Sequence, residues 1–232
     1  GYSEKAGGSV NILGGTVAAD SWIGAGIGGS HRGKGGEVII NGGTVTASSN
    51  GGGAGIGGGW GGDGSTIKIT GGTVTANSWG KGAGIGGSDS HDGGQITITG
   101  GTVGAFSNGG AGIGGGWGVT ATSNGDGAGI GGGRASDGGT IKITGGTVTA
   151  SSNDGGAGIG GGGGASGGAA GGGGTVTASS NSGGAGIGDG KGYSGEDKGT
   201  FAANGNAFIT ASSISDSEEE KKAQWSGVIF VG

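Results

Sequence analysis

Apolar residues recur along this chain as short alternating pairs at fixed intervals. A first motif sets Val10/Ile12, Val38/Ile40, Ile67/Ile69, Ile96/Ile98 and Ile141/Ile143 two residues apart. A second, Gly-Gly-Thr-Val, carries Val17, Val45, Val74, Val103, Val148 and Val176. A third, Gly-Ala-Gly-Ile, carries Ile27, Ile56, Ile85, Ile113, Ile130, Ile159 and Ile187. Successive isoleucines of the third motif lie 29, 29, 28, 17, 29 and 28 residues apart. A repeat of that length is the mark of a solenoid, a propeller or an array.

Each motif has the two-residue period of a strand. In Thr66-Ile67-Lys68-Ile69-Thr70 the isoleucines share one face and Lys68 takes the other. In Thr44-Val45-Thr46-Ala47-Ser48, Val45 and Ala47 face inward, while Thr44, Thr46 and Ser48 face outward. In Gly53-Ala54-Gly55-Ile56-Gly57, Ala54 and Ile56 face inward and only glycines face out. One such unit has too little core to fold alone, whereas stacked units pile isoleucine on isoleucine and valine on valine. Three strands in 29 residues are too few for a propeller blade. The expected fold is therefore all-β: a parallel β-solenoid, right-handed by the usual crossover rule, of about seven coils. Stacked at the strand spacing, they form a rod of roughly 35 Å.

Two places break the pattern. Between Ile113 and Ile130 the first strand is missing, and between Ile159 and Val176 it is replaced by the glycine-rich stretch 161–174. An indentation or loop is expected there. We place the solenoid at residues 1–200 and read 201–232 as a C-terminal capping segment. In it, Ala207 to Ser213 and Gly227 to Val231 read as strands, and Ser217 to Gln224 as a short serine-capped helix.

Composition adds constraints. Glycine supplies 78 of 232 residues, with no proline and no Gly-X-Y period, which excludes collagen. The register of the repeats argues against a disordered chain. A net charge of −5 with 12% charged residues leaves no footprint for nucleic acid. No apolar run is long enough to insert in a membrane. Without cysteine there are no disulfides or thiolate metal sites. A cysteine-free, Thr/Ser/Asn-rich surface leads us to expect a secreted or cell-surface bacterial protein, and the start at Gly1 without methionine a mature or trimmed segment.

Several residue sets are candidates for chemistry. Trp22 and Trp79 lie six residues after the motif threonine, where other coils carry Asn50, Asn108, Asn153 and Asn181. Trp60 and Trp117 lie four residues after the motif isoleucine. Both pairs are 57 residues apart, two coils, and are surrounded mainly by glycine. Such rings either shield bare backbone or stand exposed to stack on a partner such as a sugar. His31 and His91 sit in the loops after the third motif and join the candidate ligand-binding set. Asp63, Asp92 and Asp137 each precede the first strand by three residues, so stacked carboxylates there are a candidate Ca²⁺ site. The bland alternative is an Asx-turn. Thr44/Thr46, Thr73/Thr75, Thr147/Thr149 and Thr175/Thr177 form rows that resemble ice-binding threonine arrays, although threonine is also an ordinary strand former. The glycines of the third strand are either required at strained corners or leave a bare face open to self-association by close approach. No nucleophile–base–acid set or phosphate loop is evident, so we do not expect an enzyme.

The segments Gly43-Thr44-Val45-Thr46-Ala47, Gly53-Ala54-Gly55-Ile56-Gly57 and Trp225-Ser226-Gly227-Val228-Ile229-Phe230 resemble the glycine-rich β-helical repeats of clostridial surface proteins. The run Ile69 to Thr73 is similar to repeats of the clostridial β-helix carbohydrate-binding family. The resemblance spans roughly residues 9–190 and implies acidic polysaccharide and calcium as ligands. The expected function is a non-catalytic carbohydrate-binding or adhesive module acting on a polysaccharide or cell-surface glycan. The alternatives are a structural stalk or filament subunit, and an ice-binding protein.

Overall fold

A computed structural model describes residues 6–89, 91–112, 119–123, 129–131, 140–143, 147–161, 169–181, 186–188, 191, 200–211 and 227–231. Every regular element among them is a strand. The first coil holds β1 (Ser9–Ile12), β2 (Thr16–Ser21) and β3 (Ile27–Gly28). The second holds β4 (Glu37–Ile40), β5 (Thr44–Ser49) and β6 (Ile56–Gly57). The third holds β7 (Ser65–Ile69), β8 (Thr73–Ser78) and β9 (Ile85–Gly86). The fourth contributes β10 (Gly94–Ile98) and β11 (Thr102–Ser107), and the fifth β12 (Val119–Ser123) and β13 (Ile130–Gly131). The sixth holds β14 (Thr140–Ile143), β15 (Thr147–Ser152) and β16 (Ile159–Gly160). The seventh holds the long β17 (Ala169–Ser180) and β18 (Ile187–Gly188), and β19 (Thr200–Ala211) and β20 (Gly227–Val231) follow.

The strands stack in parallel as expected for a solenoid. β1-β4-β7-β10 form one sheet, and β2-β5-β8-β11-β12-β15-β17-β19 run through a second. The short strands form two further stacks, β3-β6-β9 and β13-β16-β18. Register is residue on residue: Ile12 pairs with Ile40, Ile40 with Ile69 and Ile69 with Ile98. Val17, Val45, Val74 and Val103 form a second column, and Ile27, Ile56 and Ile85 a third. Ile40, Ile56, Ile67, Ile69 and Ile85 are fully buried. Each isoleucine so placed contributes about 1.5–3 kcal/mol, which offsets the conformational entropy of so glycine-rich a backbone.

The number of turns departs slightly from seven. Among the described residues four coils carry three separate strands, and in the seventh β17 spans the first two positions and β18 the third. The fifth has no described first strand, so the first sheet ends at β10, and β14 pairs with β17 instead. A loop was expected in place of the next first strand, but 169–172 are strand. They pair in register with Thr140–Ile143 on one side and Thr200–Ala203 on the other. Ladder hydrogen bonds need no side chain, so the neighbours impose a strand where the sequence shows no apolar pattern. β19 continues the parallel stack as a further rung, and β20 then pairs with it antiparallel. The expected helix at 217–224 lies outside the described residues.

The glycine face of the third strand is not an outer face. Gly53 to Gly59 are all buried. The segment is a tight bend closed by the Ala54 N–H donating to the Gly58 carbonyl at 2.8 Å, repeated at Ala25–Gly29, Ala83–Gly87 and Ala157–Gly161. A Cβ on Gly55 would lie 2.6 Å from the Asn77 backbone nitrogen and 2.7 Å from the Gly84 carbonyl oxygen. Glycine is needed there because two stretches of backbone touch. The bare surface expected for self-association is thus absent at this bend.

Candidate functional site

The end of each long strand aligns Trp22, Asn50, Trp79 and Asn108 in one column. They follow Ser21, Ser49, Ser78 and Ser107, which pair rung by rung. Those serines belong to the inward face. Ser49, Ser78 and Ser107 are fully buried, and each hydroxyl donates to a corner carbonyl of the preceding coil: Gly24 at 2.9 Å, Gly53 at 3.0 Å and Gly82 at 2.7 Å. Sequence reasoning missed this column, because each partner lies 25 residues upstream. The hydroxyls pin the strand end to the bend and so fix where the next residue emerges.

What emerges is open to solvent. Trp22 is 75% exposed and Trp79 52%. Phe106, which pairs with Asn77 on the outward side of the sheet, packs against Trp79 with ring centroids 5.2 Å apart. Trp60 is 51% exposed and lies on the loop after β6. Its N–H donates to the Ile23 carbonyl at 3.1 Å, and its own carbonyl accepts from the Arg32 N–H at 2.7 Å. Its indole lies over Gly52, where a Cβ would stand 2.8 Å from ring atoms. His31 meets it edge-on at 5.8 Å. Gly52 is two residues past Asn50, the rung between Trp22 and Trp79. Trp60, from the other tryptophan pair, is thus placed beside the Trp22–Asn50–Trp79 column. Trp117 lies outside the described residues.

The remaining candidates do not join that column as a set. His91 Nδ1 is 2.7 Å from the Asp89 carbonyl and 3.3 Å from Ser88 Oγ, so the ring is tied to its own loop. Ser88 is the pivot of that loop and accepts from the Gly61 and Gly62 N–H groups at 2.9 and 3.1 Å. Asp63 pairs with Lys34 at 3.1 Å. The Gly35 N–H donates to the Asp63 carbonyl and the Gly64 N–H to the Asp92 carbonyl, so Lys34, Asp63 and Asp92 form one column. Asp92 is exposed, and Asp137 lies outside the described residues. No group of three or more His, Cys, Asp or Glu gathers among the described residues. Two carboxylates with a lysine beside them are a sparse oxygen set for Ca²⁺, which takes six to eight ligands.

The threonine rows lie in register on the outward face of the second sheet. Thr16, Thr44, Thr73 and Thr102 form one column, and Thr46 and Thr75 sit in the next, between Ala18 and Gly104. All six threonines are exposed.

A family described as a beta helix repeat matches residues 10–31, 38–60, 67–89, 96–117, 119–134, 141–163 and 172–191, more than half of the chain. The chain belongs to this β-helix repeat family. Most matched repeats open at the first inward residue of a coil and close in the loop after the bend. The short match, 119–134, falls on the coil without a described first strand. Trp22, Trp60 and Trp79 all lie within matched β-helix repeats. No curated protein and no solved structure matches the chain. Among the described residues no helix is long and apolar enough to cross a membrane.

Proposed function

We propose that this β-helix repeat chain is a non-catalytic, secreted or cell-surface module that holds a glycan along its tryptophan edge. The observation that carries this reading is the exposure of Trp22, Trp60 and Trp79, each at least half open to solvent on one edge. An exposed indole forfeits the burial that large aromatic side chains otherwise gain, and clustered exposed rings mark a partner surface. The flat face of an indole suits the C–H face of a pyranose ring. A stalk needs no such cluster.

The test is a glycan array with the unaltered chain and with Trp22→Ala/Trp79→Ala, run with and without calcium. Wild type should retain at least one glycan class, and the double variant should lose it. Equal retention by both proteins would overturn the reading. The calcium arm reports on Asp63 and Asp92. A second reading, ice binding, draws on the uncharged, in-register threonine columns, and a freezing-hysteresis measurement tests it.

A further inference from the structure

We infer that the tryptophan edge is matched to an extended polysaccharide of β-1,4-linked pyranoses lying along the rod axis, read once per disaccharide. The inference rests on the glycan reading above and specifies its ligand.

Over its first four rungs the column alternates Trp22, Asn50, Trp79, Asn108, with one residue per coil at one register position, and Asn153 and Asn181 occupy the same position further along without another tryptophan. Parallel rungs are about 4.8 Å apart, so the backbone positions that carry the two indoles are about 9.6 Å apart along the axis. In a chain of pyranoses joined equatorially at C1 and C4, each sugar is turned over relative to the last. The same face therefore recurs at every second sugar, after the length of one extended disaccharide. That length is close to two rungs. An α-1,4-linked chain coils and cannot present the same face twice along a straight line of this spacing.

The residue between the rings fits this reading. Asn50 is exposed, and its side-chain amide has no partner among the described residues. It offers two donors and an acceptor at the rung where the intervening, inverted sugar presents its hydroxyls. The corresponding amide of Asn108 donates to the Trp79 carbonyl at 3.0 Å and braces that corner. Trp60, set on Gly52, adds a ring beside the Asn50 rung. One coil further, Lys81 and Asp89 occupy the places of Gly52 and Trp60. They pair with each other at 3.8 Å and so add no net charge there.

The experiment keeps the number of rings and changes their interval. Asn50→Trp with Trp79→Asn brings the two indoles from two coils apart to one. Depletion binding is measured on microcrystalline cellulose, chitin and insoluble starch, and calorimetry follows soluble cello- and chito-oligosaccharides of rising length. Wild type should bind cellulose or chitin but not starch, and affinity should rise steeply once the oligosaccharide spans both rings. The interval-changed variant should lose about tenfold. Circular dichroism checks its fold. Should it fail to fold, Trp79→Ala takes its place and should abolish the gain with length. Unchanged affinity in these variants overturns the inference. So does tryptophan-dependent binding confined to starch or to charged glycans, which leaves the glycan reading intact. Retention of no glycan at all overturns both.

Discussion

Within one coil, the strand Thr44–Ser49 and the bend Gly53–Gly59 face opposite demands. In the strand, outward Thr44 and Thr46 are exposed and free to vary, while Val45, Ala47, Ser48 and Ser49 are buried. In the bend every residue is buried, and positions that an alternating pattern would send outward are pressed against other backbone. The same amino acid that elsewhere signals looseness here marks the tightest packing in the rod. The repeated Gly-Ala-Gly-Ile is a steric requirement, whereas the repeated Thr-Val-Thr is a core column with a changeable outer row.

The sharpest way to break that comparison is to add one methyl group to the bend. Gly57 has φ +134°, and a Cβ there would stand 2.9 Å from the Gly86 carbonyl carbon. Gly57→Ala should cost about 3 kcal/mol or more, with loss of the folded transition or a large fall in Tm by circular dichroism. A melting curve like that of the unaltered protein would show that the bend has room. Next comes the inward column. Ile69 is fully buried between Ile40 and Ile98. Ile69→Ala should cost about 2–5 kcal/mol in chemical denaturation. A loss below about 1 kcal/mol would mean that the stack can collapse into the cavity.

Much of this was legible in the sequence, and the failures share a cause. The isoleucine and valine columns were readable because side chains of period two recur at a fixed interval, and Ile56 does pair with Ile85. At the bend the glycine run allowed a corner as well as an open face, and alternation alone pointed outward because glycine has no side chain to mark its packing. The strand at Ala169–Gly172 was missed for the same reason: its hydrogen bonds come from neighbouring rungs and leave no apolar trace. For the site, the glycine surroundings of Trp22 and Trp79 left shielding and exposure both open, and the structure decides for exposure. Their convergence with Trp60 was not legible, because it depends on how tightly the bend folds 52 against 60. Phe106 had a visible signal, being the one aromatic residue within a Thr-Val strand motif, and its contact with Trp79 needed only the two-column register.

The serine column joins strand to bend, so its loss should be intermediate. Ser78 is fully buried and donates to the Gly53 carbonyl at 3.0 Å. Ser78→Ala removes the donor and leaves that carbonyl unpaired in the interior. The expected cost is about 1–3 kcal/mol, read as a lower denaturation midpoint with unchanged slope. A neutral result would mean that water reaches the corner or that the bend can shift to satisfy its carbonyl.

The smallest effect is expected on the outer row. Thr46 is exposed between Ala18 and Thr75 in its column, and no neighbouring rung depends on its hydroxyl for a hydrogen bond that the fold needs. Valine keeps the β-branch that suits an extended strand and loses only the hydroxyl, which solvent satisfies in the native chain. Thr46→Val should change stability by no more than about 0.5 kcal/mol in chemical denaturation, in either direction. A loss as large as that of Ser78→Ala would mean that the outward hydroxyls act as a connected row. The contrast between a tolerant face and an intolerant bend would then fail, because both sides of the coil would be under constraint.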